Sequence, residues 1–136
     1  MSENEAIETI ENAVHAMLEA FDVDAPPVPV DTMLQDPHEG LWEEVNVAEM
    51  SATFLSLHDR YSPRMSVVRL LARHVIRSAW GVEHGLEVVR TDVEYLHRFA
   101  RAIVIPRQLF EEAGIDPSDI GEISDCFEVP ESDEMV

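Results

Sequence analysis

The sequence predicts a mostly helical α+β domain built around one long central helix. Several segments repeat apolar residues at spacings of three and four, which is the pattern of an amphipathic helix. Between Leu41 and Leu57 the apolar pattern is mixed and suggests one short strand, followed by either a second strand or a short helix. The chain has 136 residues, 46% of them hydrophobic, so we expect residues 1–127 to form a single domain with its own core. Residues 128–136 are predicted to be an acidic, disordered tail.

The first helix is predicted over residues 3–22. Ser2 and Glu5 form a Ser-x-x-Glu capping box, and the apolar residues that follow have helical spacing: Ile7, Ile10, Val14, Met17, Leu18 and Phe21. The run Ala25-Pro-Pro-Val-Pro-Val30 ends this helix, because proline has no backbone N–H and holds the chain extended. Asp31 is then expected to cap a short helical turn through Gln35.

The next segment contains the predicted strands. Trp42, Val45 and Val47 suggest one short strand, whereas Ala52 to Leu57 fits either a second strand or a short helix.

The central helix is predicted to begin at Ser62-Pro63, because serine caps free backbone N–H groups and proline has no N–H to leave unpaired. We expect it to reach about Ser78 and to stop near Gly81. One face is apolar: Val68, Leu71, Ala72, Val75, Ile76 and Ala79. On the other side three arginines follow one another at steps of four residues: Arg69, Arg73 and Arg77.

Three shorter helices are predicted after the central one. Thr91 or Asp92 is expected to cap a helix that runs to about Val104. Pro106 breaks this helix and starts another over Arg107–Ala113, which Gly114 closes. Asp116-Pro117 begins a last helical stretch to about Cys126.

Charge is distributed unevenly along the chain. The net charge is −19, lysine is absent, and all nine arginines lie between Arg60 and Arg107. We expect neither direct nucleic-acid binding nor contact with anionic membranes, because the acidic chain is repelled by both. Solubility and internal ion pairing are the favoured explanation, and a binding surface for a basic partner is the alternative. No secretory signal or membrane-length apolar run is present, so a cytoplasmic protein is expected.

The histidines do not have the spacing of a zinc motif. His-Glu-x-x-His places two imidazoles on one helix face, but the closest helical pair of metal-type residues here is Glu94 and His97. A site built from His58, His74, Glu94 and His97 can be imagined, although no local spacing requires it. We therefore expect no metal and no other cofactor. Cys126 has no electropositive neighbours that would activate its thiol.

Three segments together resemble the ImmA/IrrE family of metallopeptidase-like domains, over roughly residues 5–115. Pro27-Val28-Pro29-Val30 is similar to the family's proline-containing segment. Phe99-Ala100-Arg101-Ala102-Ile103-Val104-Ile105-Pro106 is similar to the apolar run that ends in proline. Between them, residues 71–77 lie where the family carries its metal-binding helix. The resemblance implies a zincin-like fold with a small antiparallel sheet and a central, formerly metal-binding helix.

The resemblance also implies that the metal site is degenerate. The family's two zinc histidines fall on Arg73 and Arg77, its catalytic glutamate on His74, and its acidic ligand on Val93 or Glu94. Arginine stays protonated and has no lone pair for zinc, so the family's hydrolytic mechanism is lost and no catalytic residue is carried over. One hypothesis is that Glu94 pairs with Arg73 or Arg77 in place of the metal.

Three functions remain open at this level. The favoured one is a non-catalytic pseudo-peptidase that binds a protein or peptide, and the resemblance implies a helix-turn-helix regulator as the partner. The second is a metal-dependent peptidase with rearranged ligands among His58, Glu94 and His97. The third is an acidic mimic of nucleic acid that acts as an inhibitor or antitoxin. The sequence leaves the oligomeric state open.

Overall fold

The computed structural model describes residues 3–37, 40–42 and 62–129. In chain order the helices of these ranges are α1 (Glu3–Ala20), α2 (Val30–Gln35), α3 (Ser62–Arg77), α4 (Ala79–Glu83), the 3-10 helix (Leu86–Thr91), α5 (Val93–Val104), α6 (Arg107–Ala113) and α7 (Ile120–Phe127). Among them α3 is the central helix, because it packs against α2, α4, α5 and the 3-10 helix, while α1 packs against α5 and the 3-10 helix. None of the described helices is long and apolar enough to cross a membrane.

The predicted α+β class is wrong, because the described ranges are helical and contain no strand. Trp42, which was predicted to begin a strand, lies in none; Val45, Val47 and residues 52–57 lie outside the described residues. Trp42 is buried because its ring packs edge-on against Trp80 at 5.4 Å, and its indole N–H donates to the carbonyl of Met33 at 2.7 Å. Its apolar character therefore reflects packing between helices and not the alternation of a sheet.

The central helix follows the predicted pattern. Its buried residues recur at spacings of three and four, and five of them are fully buried: Met65, Val68, Leu71, Ala72 and Val75. The helix ends at Arg77, before the predicted glycine, because Ser78 adopts an extended backbone. The Ser78 hydroxyl donates to the carbonyl of Val75 at 2.6 Å and accepts from the N–H of Gly81 at 3.0 Å. Gly81 therefore lies inside α4.

The helices after α4 begin and end at polar caps and helix-breaking residues. Asp92 caps α5 by accepting from the N–H of Glu94 at 2.9 Å. Pro106 and Gly114 border α6 as predicted, and Gly114 has a φ of 67°. After α7 the chain stays packed, because Val129 is buried and its N–H donates to the carbonyl of Ser124. Residues 130–136 of the predicted tail lie outside the described residues.

Arg64 connects the start of α3 to the proline-rich segment. Its guanidinium donates to the carbonyl of Val28 at 2.7 Å. Burial lowers the pKa of Arg64, and the carboxylates of Glu128 and Asp31 oppose that shift. Arg64 thus interacts with Val28 and Asp31, which precede α3 in the chain, and with Glu128, which follows α7.

Candidate functional site

The residues predicted at the degenerate metal site lie on the outer side of α3. Arg73 and Arg77 are exposed, and His74 between them is half-buried. Arg69, one turn earlier, has a lowered pKa, first because of burial and second because of the positive charge of Arg73. The arginines of α3 therefore form a stripe of mutually repelling charges.

The acidic member of that set lies on another helix. Glu94 and His97 are exposed on α5. All the residues of the hypothesised replacement pair are described, and no ion pair joins Glu94 to Arg73 or Arg77. The hypothesised substitute for zinc is therefore not formed in this structure.

The alternative metal set is only partly described. His58 lies outside the described residues, so a site that includes it stays a prediction. Among residues 3–37, 40–42 and 62–129, no group of three or more His, Cys, Asp or Glu side chains is arranged to hold a metal ion.

A different concave surface lies between α1 and the junction of α5 and α6. We call it the α1 groove. Its volume is about 430 Å³, within the range of roughly 300–1,000 Å³ that is usual for ligand clefts. The groove lies beside the junction at which α5 ends and Pro106 leads into α6. Its floor is apolar and combines both sides: Ile7, Ile10, Val14 and Leu18 from α1, with Ala102, Ile105 and Pro106 opposite.

Ion pairs border the groove beside the first half of α1, and two of them join its two sides. Arg98 contacts Glu3 at 3.2 Å, and Arg107 contacts Glu11 at 3.3 Å and Glu111 at 3.0 Å. The hydrogen bond to Glu111 and the charge of Glu11 raise the pKa of Arg107. These contacts pair Arg98 and Arg107 with carboxylates of α1 and α6. Because they are exposed, such pairs hold the two sides together only weakly.

The other end of the groove is acidic. An adjoining cavity of about 470 Å³ shares His15, Leu18 and Gln108 with the groove. Its remaining lining residues are Glu19, Asp22, Val23 and Asp24, and we call the three acids the acidic end. Among the described residues that line this cavity there is no arginine. His15 lies 3.0 Å from Glu19 and neutralises it only when the imidazole is protonated.

The acidic end coincides with the C-terminus of α1. The N–H of Val23 donates to the carbonyl of Leu18 at 2.9 Å, and the N–H of Asp22 donates to the carbonyl of Glu19 at 3.3 Å. This pattern closes the helix with Asp22 in the left-handed region, at a φ of 54°. The last turn of α1 carries no basic residue. Three acids thus lie where the helix dipole favours cations.

Sequence reasoning missed the groove but contained signals for parts of it. Ile7, Ile10, Val14 and Leu18 were predicted as the apolar positions of an amphipathic helix. Their spacing could not show that α5 and α6 form a groove with this helix, in which Ile7 is half-buried and the other three are buried. Acids after a helix C-terminus without any basic residue were the available signal for the acidic end.

No protein-family model, curated protein or solved structure matches this chain. The ImmA/IrrE resemblance therefore stays a prediction. The geometry and charge of the α1 groove are the basis for the function proposed below.

Proposed function

We propose that this chain is a non-catalytic interaction domain that binds an amphipathic segment of a protein partner in the α1 groove. The observation that carries the proposal is an apolar floor bordered by charged side chains. An apolar centre with a polar rim is the usual arrangement of a protein interface.

The length of the groove supports a peptide segment as the ligand. Ile7 and Leu18 both line it, and eleven helical steps of 1.5 Å separate them, or about 16 Å. The adjoining cavity extends the surface beyond Leu18. A partner helix laid along this stretch of α1 would span about three turns, and only the apolar side chains of its facing side would enter the groove.

The non-catalytic part of the proposal is supported by Arg73 and Arg77. Their guanidiniums offer no lone pair to a metal at the positions where the resemblance puts zinc ligands. A helix-turn-helix regulator remains the partner class that the resemblance implies. It is the first class to test once groove binding is measured.

Binding to the groove can be tested with a designed peptide. The probe is a fluorescein-labelled helix of about 18 residues with leucines on one face and lysines on the other. Ile7→Glu and Ile105→Glu each place a charge on the half-buried floor, and we expect either to weaken binding at least about tenfold. Val93→Glu is the matched control, because Val93 is exposed and does not line the groove.

Fluorescence anisotropy gives the dissociation constants, and circular dichroism confirms that each variant is folded. If the wild-type protein does not bind the probe, the proposed function is rejected. If both floor variants bind as tightly as the Val93→Glu control, the groove is not the binding site.

A further inference from the structure

We infer that the partner segment is basic at one end and that its lysine or arginine side chains lie over Glu19, Asp22 and Asp24. This inference rests on the proposed function, because it assigns the chemistry of the segment bound in the α1 groove.

The first argument is the difference between the two ends of the groove. At one end, Arg98 and Arg107 already contact carboxylates of α1 and α6. At the other end, the described lining contains three acids, one histidine and no arginine. The described lining of the acidic end therefore carries negative charge that no arginine of that lining neutralises. A basic segment end placed there has the complementary charge.

The second argument is that these acids oppose the stability of their own helix. The partial negative charge at the C-terminus of α1 repels Glu19, Asp22 and Asp24, since the dipole favours cations at that position. Asp22 also occupies a left-handed conformation, at a φ of 54°, that glycine adopts more readily. Local rules broken at the rim of a groove are typical of residues that serve binding.

The structure also limits which positively charged group can contact the acidic end. Within the described ranges no group of acidic or histidine side chains is arranged to hold a metal ion. A second copy of this chain is disfavoured, because each copy has a net charge of −19 and no lysine. The cation is therefore assigned to side chains of a different, basic protein.

Three probe peptides with identical leucine positions test the assignment. The lysine peptide carries lysines at the polar positions of one half and glutamines at those of the other half. The glutamine peptide carries glutamines at all polar positions. The glutamate peptide is the lysine peptide with each lysine replaced by glutamate. At about 0.05 M salt we expect the lysine peptide to bind about tenfold more tightly than the glutamine peptide. The glutamate peptide should bind more weakly than both. The preference should shrink at about 0.5 M salt.

The double variant Asp22→Asn/Asp24→Asn links binding to stability. It should remove most of the preference for lysine and raise Tm by about 2–4 °C, because it removes charges that the helix dipole opposes. Glu87→Gln/Asp125→Asn makes the same change in net charge at exposed positions outside the groove. This control should retain the preference for lysine.

The outcomes distinguish the two proposals. If the lysine and glutamine peptides bind the wild-type protein equally well, the inference is wrong and the proposed function stands. If none of the three binds, both are wrong. If the double variant loses the preference but also loses stability, the acids have a structural role and the inference is overturned.

Discussion

Replacing Gly81 by alanine sets helix propensity against packing. Gly81 is buried inside α4, and propensity alone predicts that alanine would stabilise this helix by about 1 kcal/mol. The structure predicts the opposite. A Cβ on Gly81 would overlap the backbone carbonyl oxygen of Val75 and lie 3.2 Å from the Cα of Ile76. Both are backbone atoms of α3, so no side-chain rotation can make room.

Relief of this overlap requires α4 to move away from α3. Overpacking costs about 1–3 kcal/mol where side chains can adjust and more where they cannot. We therefore expect Gly81→Ala to lower the free energy of unfolding by about 3 kcal/mol, after the propensity gain is subtracted. Urea denaturation followed by far-UV circular dichroism and by the fluorescence of Trp42 and Trp80 measures this change.

Gly121 provides the matched control, because it also lies in a helix. The nearest atom to a Cβ added there is a carboxylate oxygen of Asp119 at 3.9 Å, which is an ordinary contact. Gly121→Ala should therefore stabilise the protein by about 0.5–1 kcal/mol. If Gly81→Ala proves as stable as the wild type while Gly121→Ala is stabilising, the close approach of α4 to α3 is refuted.

Three further substitutions, the first with a control, test the core, the C-terminal contact and the carboxylate of Asp116. Leu71→Ala in the buried face of α3 should lower the free energy of unfolding by about 3 kcal/mol, whereas Val93→Ala, at 67% exposure, should change it by less than about 0.5 kcal/mol. Equal effects in urea denaturation would contradict the central position of α3. Ser124→Ala should cost about 1–2 kcal/mol in the same assay, because its buried hydroxyl donates to a backbone carbonyl; an unchanged midpoint would show that this bond does not contribute. Hydrogen bonds from the backbone and side chain of Ser118 lower the pKa of Asp116. These bonds stabilise the folded protein fully above the ordinary aspartate pKa of about 3.9, and the stabilisation is lost as the pH falls through the lowered pKa of the folded state. Asp116→Ala should therefore lower Tm at about pH 7 and have little effect at about pH 2, and a difference that persists in acid would contradict this assignment.

The sequence rules for proline and glycine correctly predicted both ends of α6. Pro106 and Gly114 bordered α6 as expected, since one lacks a backbone N–H and the other adopts a positive φ. The same rules were wrong at Gly81, where glycine was taken as a stop signal. Its actual role is set by the backbone of α3, which is a tertiary contact that no local pattern contains.

The predicted sheet was wrong for a related reason. The apolar residues after Leu41 fit a strand, but Trp42 packs against Phe21 at 5.9 Å and against Trp80 at 5.4 Å. Both partners come from helical regions distant in the sequence. Periodicity over so short a segment shows that a residue avoids water and does not show which element covers it.

The candidate site was less accessible to sequence reasoning than the fold. The apolar spacing from Ile7 to Leu18 was predicted, but the groove that these residues line depends on the position of α5 and α6, which the spacing does not contain. The arginines were expected to pair with the chain's own acids. Arg98 and Arg107 do pair with α1, while Arg73 and Arg77 on α3 remain exposed.

The excess of acidic side chains bears on the charge of the proposed partner segment. Nine arginines can neutralise the charge of at most nine of the 28 acidic side chains, so an excess of 19 negative charges remains. In α1, the paired acids Glu3 and Glu11 lie in the first half of the helix, whereas Glu19 lies in the last turn, next to the apolar floor. A purely acidic surface attracts any cation, and a purely apolar groove attracts any hydrophobic segment. The proposed site joins the two, so we expect the affinity of a basic, amphipathic probe helix to depend on salt concentration and on the groove floor together.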